Sequence, residues 1–274
     1  DIFAFNRCYS LTEIMIPSSV TFIGSAAFAG CNSLTELTIP PLVTTISSNL
    51  FGGCISLSKI NFPSSLKNIQ SEAFFNCIAL THVTIPSSMT IIESYTFYGC
   101  KLLEEIVIPS SVKSIERSAF QCSSVKKITI PKEMTKIFKE TFRDCTELTE
   151  IIIPSSITKI GKNSFNGCKS LKKVVFEQPA NLEYIKWAAF ASCESLVEID
   201  IPFPLCLIGN SAFHGCRSLT QVNLPNSIVH IENYAFADCT ALKNISIPDT
   251  DIYFGSRVFR NCYSLDSTVR SRFN

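Results

Sequence analysis

Cysteine is the residue whose number and spacing first raise the question of chemistry. The 274-residue chain holds 13 cysteines. Twelve form one series, Cys8, Cys31, Cys54, Cys77, Cys100, Cys122, Cys145, Cys168, Cys193, Cys216, Cys239 and Cys262, at intervals of 23 residues apart from one of 22 and one of 25. Only Cys206 lies outside it. Zinc sites need ligands that converge on one point, usually at C-x-x-C spacing. Here the thiols recur one repeat apart, which lines the sulfurs up. Disulfides between neighbouring repeats lie within reach, but side chains pointing in one direction suit stacking better than pairing. The series therefore reads as buried small apolar groups, with disulfides the alternative; Cys206, off the series, is the best placed for a reactive thiol but also reads as structural. His82, His214 and His230 fall at different phases of the repeat, so no spacing makes them metal or acid–base partners. Serine pairs such as Ser64–Ser65 and Ser110–Ser111 follow prolines, which is turn chemistry rather than nucleophile chemistry. No catalytic, cofactor-binding or metal-ligating residue is expected, and the chain does not read as an enzyme.

Composition excludes further classes. There are 24 basic and 23 acidic residues, net charge +1. That balance disfavours nucleic acid, which needs a basic excess or a basic face. Apolar residues make up 46% and charged residues 17%, which demands a dry, regular core. No apolar run reaches the roughly 18–20 residues that span a bilayer, so no direct membrane insertion is expected. The chain opens at Asp1 without a Met or an apolar leader and already in mid-repeat. That reads as an excised fragment or a processed product, without a targeting segment of its own.

The elements that position these residues follow from the same period. Three residues after each cysteine comes an aliphatic residue, as at Leu34, Leu148 and Leu196, then two more at spacing two, as at Leu37 and Ile39. Such alternation marks a strand with one buried face. Proline then ends the strand, as at Pro40, Pro63 and Pro154. A second short extended run closes on an isoleucine, and a segment ending in Ala-Phe, such as Ser25 to Phe28, is expected to make one helical turn. Gly, Asn or Asp before the next cysteine permits the left-handed conformation that stops it. One unit cannot bury its own apolar face, but stacked units cover one another. The expected fold is a repeat solenoid of about twelve coils of about 23 residues, a leucine-rich repeat with a parallel sheet on one face and short extended or helical turns on the other. A single domain is expected over 1–274, with residues 262–274 a degenerate or capping coil, because Thr268 and Arg270 stand where apolar residues belong.

The segments LTELTIPPLVTTISSNLFGGC (34–54), LTEIIIPSSITKIGKNSFNGC (148–168) and LVEIDIPFPLCLIGNSAFHGC (196–216) resemble the BspA-like, or Treponema-type, leucine-rich repeats. The resemblance covers essentially the whole chain. It implies a surface protein of the kind carried by bacteria and mucosal protozoan parasites, located at the cell surface or secreted, that adheres to host matrix or cell-surface proteins. The family's motif is a core motif and carries no catalytic residue. The alternative is an intracellular scaffold or regulator, where aligned thiols stay reduced more easily.

Partner recognition falls to positions that face out between the core residues of the main strand. Five residues after the cysteines stand, among others, Glu105, Lys127, Glu150, Lys173 and Glu198, alternating in sign. Two residues further on stand Val107, Ile152, Val175 and Asp200. The alternating charges read first as a solvated ladder that suppresses sideways repulsion, with a ligand-reading stripe the alternative; aliphatic groups beside charges suit a protein-binding surface, although β-branched residues also favour strands for their own sake. These nine residues are the expected protein-binding set. Two departures complete the pattern. The segment Phe176 to Asn181 replaces the usual proline turn and adds two residues, a tolerated insertion or a ligand contact beside Tyr184 and Trp187. Asn244-Ile245-Ser246 is the one glycosylation sequon.

Overall fold

The computed structural model describes residues 1–273. The chain divides into two compact units, residues 1–131 and 132–274, both built from the coil expected from the sequence. The first coil carries neither strand and the last carries a helix in place of one, so the full turns number about ten.

In the first unit the main strands Glu36–Thr38 and Lys59–Asn61 pair in parallel, with Leu37 opposite Ile60. Further along, Thr84 bridges Val107 and Glu105 bridges Lys127. In the second unit Glu150–Ile153 pairs with Lys173–Phe176, and Glu198–Asp200, Gln221–Asn223 and Asn244–Ser246 form a three-stranded sheet. Every second residue of the first four of these strands and of the 198–200 and 221–223 strands points into the core. The second extended run forms a two-residue strand in each coil from Thr45–Ile46 to Tyr253–Phe254. In the second unit six such strands, from Lys136–Ile137 to Tyr253–Phe254, form one continuous parallel sheet. Their inward isoleucines are buried. The first proline-turn donor closes back on the proline: Val43 N–H donates to the Pro40 carbonyl at 3.1 Å and Ile157 N–H to Pro154 at 3.0 Å.

The third side of the coil corrects the sequence reading. The Ala-Phe segment is not helical. The residue two before each phenylalanine has a positive φ, as at Ala26 (53°), Glu72 (63°), Ala188 (49°) and Tyr234 (57°), a conformation that costs a non-glycine residue about 1 kcal/mol or more. Alternate amides explain why it persists. Ala26, Phe28 and Gly30 donate to Ser48, Leu50 and Gly52 in the following coil at 3.0, 3.1 and 2.8 Å, while Ala27, Ala29 and Cys31 donate locally three residues back. A helix would direct all these N–H groups inward along one segment and leave the next coil unbonded. The same three-bond pattern recurs at Ala188, Phe190 and Ser192, which donate to Asn210, Ala212 and His214.

Phenylalanine fills the interior of this side. Rings from Phe5 to Phe120 stack at centroid separations of 5.3–6.0 Å in the first unit. Rings from Phe142 to Phe259 stack at 5.1–5.8 Å in the second. Each offset pair adds about 0.5–1.5 kcal/mol beyond the area it buries. The degenerate last coil forms the helix Ser267–Arg272, capped by Asp266 through the Thr268 N–H at 2.7 Å. Phe273 beyond it packs on Phe254 at 4.1 Å. Among the described residues no helix is long and apolar enough to cross a membrane.

Candidate binding surface

The cysteine series forms no disulfide in the structure and has a more specific role than filling space. Buried thiols along the series donate to the carbonyl of the phenylalanine in the preceding coil: Cys54 to Phe28 at 3.0 Å, Cys77 to Phe51 at 3.1 Å, Cys168 to Phe142 at 3.1 Å, Cys216 to Phe190 at 3.2 Å. That carbonyl already accepts the N–H of its own coil's cysteine, as Phe28 does from Cys31 at 3.1 Å. The sulfur thus serves the second lone pair of a buried oxygen, which a purely apolar side chain would leave bare. Burial pushes Cys54 and Cys262 up to about 12. It pushes Cys77, Cys168, Cys193 and Cys239 well above the usual thiol range. Thiols held protonated are poor nucleophiles and poor metal ligands.

One member of the series is displaced. Ser123, not Cys122, occupies the buried position of its coil: its N–H donates to Phe120 at 3.1 Å and its Oγ to the same carbonyl at 2.7 Å. Cys122 sits one place earlier at φ 59°, where other coils carry Gly30 or Gly53. Cys206 lies on the second-strand side, half-buried, and donates to the Glu183 carbonyl at 3.2 Å.

The structure also brings together a pair that spacing did not suggest. His214 Nε2 lies 2.9 Å from Asp238 Oδ2, and Asn261 donates to the other carboxylate oxygen at 2.7 Å. The residues are one coil plus one position apart, so the period hides them. They line a shallow recess with Ser192, Glu194 and Arg217. Among the described residues no His, Cys, Asp and Glu group is arranged to hold a metal ion.

The outward positions of the main strands fall into two separate sets. In the first unit Glu105 is bridged to Lys127, and Val107 to Thr84. Val107 is 81% exposed. In the second unit Glu150 is in register with Lys173 and Ile152 with Val175. Ile152 is 48% exposed, and Val175 is half-buried. The strand carrying Glu198 and Asp200 lies against Lys173–Phe176. Both acids are exposed, and Asp200 accepts from Asn223 at 3.4 Å. Opposite charges in register each contribute a few tenths of a kcal/mol, so the alternation neutralises these rows within the sheet. The insertion at 176–181 folds against its own unit. Phe176 is buried, the Glu177 carboxylate lies 3.5 Å from Lys132 Nζ, and Asn181 donates to the Ser155 carbonyl at 2.9 Å. Trp187 beside it is exposed. Asn244 of the sequon is exposed on the same sheet face as Gln221.

With the geometry in place, comparison with known proteins decides the family. The model of the BspA type leucine rich repeat region matches in six copies over residues 1–102, 67–179 and 175–272. The chain belongs to the BspA-type leucine-rich-repeat family. Solved relatives of this BspA-type chain include a leucine-rich repeat protein from Bacteroides ovatus, 29% identical, covering 96% of this chain and 80% of that one at TM-score 0.72. A leucine rich cell surface protein from Faecalibacterium prausnitzii is 31% identical, covering 97% and 72% at TM-score 0.61. A leucine-rich repeat protein from Eubacterium ventriosum, 22% identical, covers 87% and 80% at TM-score 0.55 and shares the fold. No curated protein matches. BspA-type repeats form a protein-interaction module.

Proposed function

We propose that this chain is a cell-surface or secreted adhesion module that binds a host matrix or cell-surface protein through the outer faces of its main strands. The contacts are Glu105, Val107 and Lys127 in the first unit, and Glu150, Ile152, Lys173, Val175, Glu198 and Asp200 in the second. The observation that carries this reading is the exposure of Val107 and Ile152 within rows whose charges alternate in sign in register. Exposed aliphatic groups ringed by polar ones are the composition of a protein contact. The surface location rests on family membership and on the solved relative described as a cell surface protein. The buried thiols of the series are compatible with an oxidising exterior, because burial and hydrogen bonding shield them, as at Cys77.

Binding of the whole chain to a panel of immobilised purified extracellular-matrix proteins tests the proposal. The triple variant Lys127→Glu, Lys173→Glu, Val175→Ser should lose at least tenfold in affinity for whichever matrix protein the wild type binds, with an unchanged circular dichroism spectrum. A folded triple variant that binds as tightly as the wild type refutes the assignment of this face.

A further inference from the structure

The second sheet of the C-terminal unit treats charge differently from the main strands. Its outward positions, read along the six strands in register, are Lys136, Lys159, Tyr184, Leu207, His230 and Tyr253. Lys136 and Lys159 are direct neighbours, one strand spacing of about 4.8 Å apart, and both are exposed. Lys139 and Lys162 lie three residues further on in the same two coils, and Lys186 lies two residues after Tyr184 in the next. Among the described residues no carboxylate lies within 4 Å of Lys136, Lys159, Lys162 or Lys186, and only Lys139 has one, Glu140 at 3.7 Å. Glu183 and Glu232 are the acids on the adjoining rows. Glu232 is engaged with the Asn210 N–H at 2.7 Å. Like charges opposite one another destabilise a sheet. The main strands avoid this by alternation, while this face retains it.

We propose that this face of the second unit is a binding surface for a linear sulfated polysaccharide, independent of the protein-binding face above. Unneutralised lysines in register call for an external anion. Lysine acts as a point charge rather than a planar fork, which suits tetrahedral sulfate better than the carboxylate of a protein. An exposed ring, Trp187, follows Lys139 and Lys162 in the next coil, where its carbonyl accepts the Asn163 N–H at 3.0 Å. Its flat face offers a sugar ring a C–H contact. A single-stranded nucleic acid is the competing polyanion, but it requires several open aromatic faces for successive bases. Here Lys136 covers Phe138 and Lys186 covers Tyr184, each at 4.4 Å.

The test uses the whole chain and heparin as the probe. Trp187 is the only tryptophan, so its emission reports on this face directly. Heparin should change that emission saturably. The variant Lys136→Gln, Lys159→Gln, Lys162→Gln should weaken binding at least tenfold and reduce the log–log salt slope by about two to three, as loss of three counterion-releasing contacts requires. The control Lys67→Gln, Lys101→Gln, Lys113→Gln removes equal charge from exposed positions of the first unit and should change affinity less than twofold. Equal weakening by the control, binding without a change in Trp187 emission, or no binding overturns the proposal. Tighter binding of oligothymidine than of heparin, or undiminished binding of desulfated heparin, overturns the choice of ligand.

Discussion

Raising the pH to 10 should strongly destabilise this protein while its carboxylates and arginines still carry their neutral-pH charges. In the second unit Cys168, Cys193, Cys239 and Cys262 are buried, and burial raises each from an ordinary value of 9.0. In the first unit Cys54, Cys77 and Cys100 are raised for the same reason. Folded thiols stay protonated above pH 9, whereas unfolded ones ionise, so the unfolded chain binds fewer protons. The contribution of each thiol is therefore full below pH 9 and is lost as pH climbs toward 12. At pH 10 each costs about 1.4 kcal/mol, which sums to about 4 kcal/mol in the first unit and about 5–6 kcal/mol in the second. Domain stabilities are typically about 5–15 kcal/mol. Urea titrations followed by circular dichroism in the presence of a phosphine reductant should show midpoints falling steeply between pH 8.5 and 10. Cys193→Ala should remove about 1.4 kcal/mol of that pH-dependent loss. A midpoint that is flat across this interval, or an unaltered slope in Cys193→Ala, refutes the argument that the sulfurs are dry and protonated.

The hydrogen-bonding role of sulfur predicts an ordering at Cys216. Replacement by Ser, whose hydroxyl can still donate to the Phe190 carbonyl that Cys216 serves, should cost less than replacement by Val, which overfills the site and bares a buried carbonyl at about 2–3 kcal/mol; urea midpoints give the order. Gly161→Ala should cost about 2–3 kcal/mol, since the new Cβ would lie 2.6 Å from the Ile137 carbonyl oxygen and 2.7 Å from the Phe138 carbonyl carbon, and a thermal melt near wild type would contradict it. Lys159→Glu should raise stability by about 0.2–1 kcal/mol by relieving its repulsion with Lys136, whereas Lys173→Glu, opposite Glu150, should lower it by a similar amount. Paired melts at low salt decide between these signs.

The coil itself was legible because its signals are redundant. Leu34, Leu37, Ile39 and Phe51 recur in phase, and each is buried where that phase puts it. The turn preceding phenylalanine was not legible, since Ala26, Glu72 and Tyr234 carry no mark of a positive φ. That conformation is imposed by amides reaching the next coil, a tertiary effect. Cys122 stands one residue out of phase, and Ser123 takes the buried site, donating to the Phe120 carbonyl of its own coil. His214 and Asp238 escaped because side chains reach diagonally between coils. The lysine rows were visible in principle, since Lys136 and Lys159 stand one residue before the periodic isoleucines.

The amides of the phenylalanine side all point one way, from Phe3, Phe5 and Arg7 toward Ser25, Ala27 and Ala29, and from Tyr234, Phe236 and Asp238 toward Ser256, Val258 and Arg260. Every coil accordingly has a head and a tail. A duplicated 23-residue cassette inherits matching surfaces above and below, and gene duplication or excision in whole cassettes can lengthen or shorten such an array without redesigning a single junction. An inverted cassette would meet donor with donor, so the lineage can vary its reach but not its direction.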